Sequence, residues 1–172
     1  MTRPEFPRLV RLGPEAREVT LTATQAECDA LAERFGILGI GALSATLRLQ
    51  PEPGGGSVRA RGNLSARVEQ TCVVTLEPVV QTVKAPIDLR ILTDGEIPGD
   101  DDPGSPDEIE SEGGQVDLGE AVAEQLSLAL DPYPRAEGAA LPEMDAEEPE
   151  TPPEAPEGQP NPFAKLARLK PG

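Results

Sequence analysis

Histidine is absent from this chain, and so is tryptophan. Without histidine, the most frequent general acid/base at neutral pH is missing. Cys28 and Cys72 stand alone, with no Cys-x-x-Cys, so the four N or S ligands of a structural zinc site are not there. No Gly-rich phosphate loop occurs, and no Ser or Cys nucleophile has a recognisable partner. These absences argue against an enzyme and against a resident cofactor or metal. Two isolated thiols read as free and reduced. No apolar run approaches the ~20 residues of a bilayer span, and the opening MTRPEFPRLVRLGPEAREV lacks the apolar core of a signal peptide. The expected location is therefore cytoplasmic, with no membrane partner. Three Phe and one Tyr leave the core to Leu, Val, Ile and Ala, and leave few rings on which bases can stack.

Acid, proline and glycine are abundant: 31 Asp/Glu against 15 Lys/Arg, with 20 Pro and 17 Gly. The charge is uneven. Residues 1–92 hold 11 Lys/Arg and 10 Asp/Glu, whereas residues 93–172 hold 4 and 21. The acidity belongs to the second half, and the low overall pI does not exclude a nucleic-acid partner for the first.

The stretch Val58–Leu92 organises the rest. Val58, Ala60, Gly62, Leu64, Ala66 and Val68 alternate with Arg59, Arg61, Asn63, Ser65 and Arg67, the pattern of a strand with one buried and one wet face. After Pro78 the apolar positions become odd, through Val79, Val83, Ala85, Ile87, Leu89 and Ile91. A regular strand cannot change phase without exposing its core face, so a corner is predicted over Cys72–Pro78 between two strands. Upstream, Glu18–Thr22 reads as a short strand. Thr24-Gln25-Ala26-Glu27 is a capping box opening a helix over 25–34, with Cys28, Leu31 and Phe35 on its stripe and Gly36 at its end. Leu43–Gln50 alternates again, and Pro51–Gly56 turns it back as a hairpin. Pro86 marks the last strand as an edge or a bulged strand. Asp117 caps a second helix running to Leu130, stopped by Asp131-Pro132-Tyr133-Pro134.

The predicted fold is α+β, a small antiparallel meander of three to five strands covered by two helices. Residues 1–135 form one domain, with an acidic insertion over 94–114 expected to be disordered because it holds acid and Pro without base. Residues 136–160 read as a disordered acidic, Pro-rich linker, and 161–172 as a short basic amphipathic motif around Phe163, Leu166 and Leu169.

CVVTLEPV, DLGEAVAEQLSLALDPYPR and the terminal NPFAKLARLK together resemble the YceD family, named for accumulation of the large-subunit ribosomal RNA. ECDALAERFGI and the hairpin after it resemble its alphaproteobacterial branch. The residues carrying the resemblance include Cys72, Leu76, Pro78, Asp117, Leu118, Leu128 and Pro132. It implies a role in making or maturing large-subunit ribosomal RNA. Many members of the family carry Cys-x-Arg-Cys-Leu at the corner and a further Cys cluster near the C-terminus, a set associated with metal. Here Val74 and Thr75 replace the Arg and the second Cys, and no Cys follows Pro134. The metal site is not carried over.

The candidate binding residues are Arg48, Arg59, Arg61, Arg67 and Arg90, which alternation places on the wet faces of neighbouring strands. Such a face can contact phosphates, or it can simply be solvated and guard against edge pairing. The expected partner is large-subunit ribosomal RNA; the alternative is a ribosomal assembly protein, gripped by the acidic segments. Cys72 reads either as a buried small residue or as a reactive thiol.

Overall fold

The computed structural model describes residues 4–99 and 103–140. The elements in chain order are β1 (Leu9–Arg11), β2 (Arg17–Thr22), α1 (Gln25–Phe35), β3 (Gly39–Pro51), β4 (Ser57–Thr71), β5 (Pro78–Leu92), β6 (Asp107–Glu110), β7 (Gln115–Asp117) and α2 (Leu118–Ala129). β2, β3, β4 and β5 form the expected antiparallel meander, and β6 adds to β5 in parallel as the edge of a five-stranded sheet. β1 and β7 pair separately.

The alternating pattern settles which side is buried. Leu43, Ala45, Leu47 and Leu49 of β3, Leu64, Ala66 and Val68 of β4, and Ile87, Leu89 and Ile91 of β5 join one core with Cys28, Leu31 and Ala32 of α1 and Leu118, Val122 and Leu126 of α2. Both helices therefore cover the same face, and the other face of the sheet stays open, as antiparallel sheets allow. Gly62 is required where β3 and β4 run together. A Cβ there would fall 1.8 Å from the Thr46 carbonyl oxygen.

Each helix begins at a side chain that satisfies free N–H groups. Thr24 Oγ1 accepts from Glu27 N, and Glu27 Oε2 accepts from Thr24 N at 2.8 Å, which completes the capping box. The same Glu27 carboxylate receives both terminal nitrogens of Arg8, at 2.7 and 2.8 Å. Asp117 Oδ1 accepts from Gly119 N and Glu120 N, and also from Arg8 N at 2.8 Å. Through Arg8 the segment preceding β1 is tied to both helices, with Phe6 fully buried beneath it.

The phase change occurs where the pattern demanded it. Cys72 N donates to Glu77 O and Leu76 N to Cys72 O, closing a tight turn in which Leu76 takes φ 62°. Three features differ from expectation. The acidic insertion is not wholly outside the fold: Asp107–Glu110 is a strand, joined to Leu89–Leu92. Its one apolar residue, Ile109, packs against the core, and Arg90 and Gln125 engage Glu108 and Asp107, so that four residues are held on an existing sheet edge. The sheet is consequently mixed rather than purely antiparallel. A strand, β1, precedes the first predicted one at Glu18–Thr22, and its partner β7 lies more than 100 residues away. Leu128, read beside the apolar stripe of α2, is 77% exposed. Most of the 136–160 linker and the whole 161–172 motif lie outside the described residues.

Candidate nucleic-acid interface

Strand register decides which charges meet on the open face. Arg48 of β3 stands directly opposite Arg61 of β4, which stands opposite Asp88 of β5. In the next row Gln50, Arg59, Arg90 and Glu108 lie across β3, β4, β5 and β6. Arg67 is six residues along β4 from Arg61, roughly 20 Å away at strand rise, between Ala42 and Thr82. The structure thus brings together four of the five candidate arginines and sets Arg67 apart.

The four are not equivalent. Arg59 makes a two-pronged pair with Asp88, its Nη2 at 2.7 Å from Oδ2. Arg90 Nε lies 3.0 Å from Glu52 Oε2 and its Nη1 2.9 Å from Glu108 Oε1. The Arg59 guanidinium holds the Asp88 carboxyl below the usual carboxylate range. Ser57 and then Arg90 do the same for Glu52. Arg61 reaches Asp88 only at 3.4 Å and is largely exposed. Arg48 has no carboxylate within salt-bridge distance among the described residues, though Glu18 is its cross-strand neighbour on β2. Arg48, Arg59 and Arg61 surround a shallow depression of about 240 Å³ at the hairpin end of β3 and β4, with Gln50 and Glu52. Two cations directly opposite one another on adjacent strands repel, and an anion between Arg48 and Arg61 would relieve that repulsion.

Alternation alone could place the arginines on one face, and it did. It could not supply their partners. Asp88, Glu52 and Glu108 are 29, 38 and 18 residues from the arginines they engage. The signal that could have found Asp88 is the register of the β4–β5 hairpin, counted from the corner at Cys72–Pro78.

At the other end of the sheet, Cys72 is fully buried. Its Sγ accepts from Val74 N, Thr75 N and Ala136 N at 3.4, 3.4 and 3.3 Å. The Thr75 hydroxyl, then the Ala136 and Thr75 amides, lower its pKa to about 6. Val73 N donates to Pro134 O, and Gln70 Nε2 to Asp131 O. The corner therefore grips the segment that leaves α2. Of the other motif residues, Leu118 is core and Asp117 caps α2, Pro78 opens β5, and Leu76, Leu128 and Pro132 are exposed. Among the described residues no three His, Cys, Asp or Glu side chains are grouped to hold a metal, and no helix is long and apolar enough to cross a membrane.

No curated protein and no solved structure matches the chain. A family model does match, that of the large ribosomal RNA subunit accumulation protein YceD, over residues 60–170. The matched span begins in β4 and takes in the corner, β5, β6, β7 and α2, well over half of the sequence. The chain belongs to the YceD family.

Proposed function

We propose that the protein is a non-enzymatic accessory factor in the accumulation of large-subunit ribosomal RNA, and that it contacts RNA through the open face of its sheet. The family supports the pathway. The observation that carries the contact is the convergence of Arg48, Arg59 and Arg61 on one depression, with Arg48 and Arg61 opposite each other. Arg48 and Arg61 are the primary phosphate contacts, while Arg59 and Arg90 are held by carboxylates until RNA competes for them. Ser44, Thr46, Asn63 and Ser65 supply neutral donors on the same face. With no aromatic among them, the face suits backbone recognition rather than base stacking.

The test is titration of a labelled large-subunit RNA fragment with the full chain at two salt concentrations. Phosphate contacts release condensed counterions, so parent binding should weaken steeply with salt. Arg48→Glu with Arg61→Glu should abolish binding while circular dichroism stays that of the parent, because both side chains are on the wet face. A double variant that binds like the parent would make this face a solvated surface and nothing more.

A further inference from the structure

α2 carries two stripes. Leu118, Val122 and Leu126 go to the core, but Ala121, Glu124, Gln125 and Leu128, at helical spacing, line a groove of about 780 Å³ that β6 and the residues leading into it, among them Pro98, Pro103 and Pro106, close on the other side. The floor is apolar, built from Leu89, Leu92 and Ile109, and Leu128 stands 77% exposed at its wall. The rim is acidic: Asp107, Glu110 and Glu124 line it, with no Lys or Arg beside them among the described residues, while Glu108, which also borders it, is engaged by Arg90 at 2.9 Å. β6 is also the edge of the five-stranded sheet, so its outward N–H and C=O groups have no strand partner among the described residues.

We propose that this groove takes an extended, lysine- or arginine-rich segment of a partner protein, laid along the β6 edge with an aliphatic side chain against Leu128. Strand addition uses the free backbone groups for affinity and the flanking pocket for selectivity. The charge of the rim selects the occupant. Nucleic acid is repelled by the carboxylates. A second copy pairing β6 to β6 would set Asp107, Glu108 and Glu110 against their own counterparts, which is unfavourable for like charges on facing strands. A basic segment instead matches the rim, and its aliphatic residue covers Leu128. Leu128 and Glu124 belong to α2, on the helix side of the sheet, so this test stands apart from the RNA titration.

The experiment uses the full chain and two fluorescein-labelled peptides of equal charge, one alternating Lys with Leu and one alternating Lys with Ser. Anisotropy is read at about 150 mM salt, where exposed long-range attraction is largely screened. The Leu peptide should bind more tightly than the Ser peptide. Leu128→Ser should weaken it about tenfold, the loss typical of a removed interface anchor. Glu110→Gln with Glu124→Gln should weaken both peptides. Asp29→Asn with Glu33→Gln, the same charge change on α1, should leave binding at the parent level. If Leu128→Ser binds like the parent, or the α1 pair weakens binding as much as the groove pair, the proposal is overturned. The carboxylates then only guard the sheet edge. Leu128 is outside the core, and the acid pair tests the same groove should Leu128→Ser fail to fold.

Discussion

Cys72 shows how a single buried group acquires a pH-dependent role from its surroundings. Three backbone N–H groups and the Thr75 hydroxyl face its sulfur, and they favour the thiolate over the thiol, giving a pKa of about 6. An unfolded cysteine titrates near 8.5. A folded-state pKa below the unfolded one contributes stability that is fully present above the unfolded value and is lost as pH falls through the folded value. The Cys72 contribution should therefore grow from about pH 6 to about pH 8.5. Cys28 acts in the opposite sense, since burial raises its pKa. The readout is consequently the difference between the parent and Cys72→Ala in urea unfolding at pH 6, 7 and 8. That difference should widen with pH, and a constant difference would mean that Cys72 only fills space. The inward placement of Cys72 was readable from alternation in β4. Its donors were not, because Ala136 arrives from 64 residues away, beyond any local pattern.

Elements with long periodic stretches were legible, and elements of three or four residues were not. β3, β4 and β5 run for 13 to 15 residues with their faces marked at nearly every position. α1 announced itself by its capping box and by Gly36, which takes φ 66° at the helix end. β1, β6 and β7 carry one or two apolar residues each, too few to display a period; β6 forms on the existing edge of β5, and β1 and β7 pair only with each other. The acidic run around β6 was read through its charge, which is a fair guide to a chain segment by itself but not to one beside an open sheet edge. α2 lies between these cases. Its cap was visible at Asp117, yet the link from that cap to Arg8 N was not. That link makes the cap unusually costly to lose. Asp117→Ala removes an N-cap, typically about 1 kcal/mol, and leaves the part-buried Arg8 amide without its acceptor, a further ~1–3 kcal/mol. The expected loss in urea unfolding is about 2–4 kcal/mol. Asp117→Asn, which keeps an acceptor oxygen, should lose much less. Equal losses in the two variants would show that charge, not capping geometry, is what Asp117 provides.

At the scale of the whole molecule, acid and base are separated along the chain but brought together on the open face. The base lies mostly in residues 1–92 and the acid after them, yet Asp88 and Glu52 from the first part and Glu108 from the second all pair with arginines there. A phosphate can meet Arg48 directly, but one that engages Arg59 or Arg90 must displace a carboxylate that the fold itself supplies. Removing residues 95–113 would be a poor test of that competition, because it would take away β6 along with Glu108 and strip the partner from Leu89–Leu92. Asp88 is the better site. It holds Arg59 closely and Arg61 loosely, and its side chain is 46% exposed. An ion pair so open to water contributes at most about 1 kcal/mol to stability, so Asp88→Asn should unfold at nearly the same urea concentration as the parent. With the carboxylate gone, Arg61 is released and Arg59 keeps only Glu52, 4.0 Å away, so both can turn to a phosphate in the depression they share with Arg48. RNA affinity should then rise several-fold. The dependence of log affinity on log salt should also steepen, by roughly 0.7–0.9 for each arginine that gains a phosphate. Glu77→Gln, an exposed acid in the corner at the far end of β5, changes net charge equally without touching these arginines. Comparing the two variants at two salt concentrations separates release of the arginines from a general loss of repulsion. If Asp88→Asn tightens binding no more than Glu77→Gln does, RNA is held elsewhere on the protein, and the carboxylates on the open face serve only to keep its arginines in place.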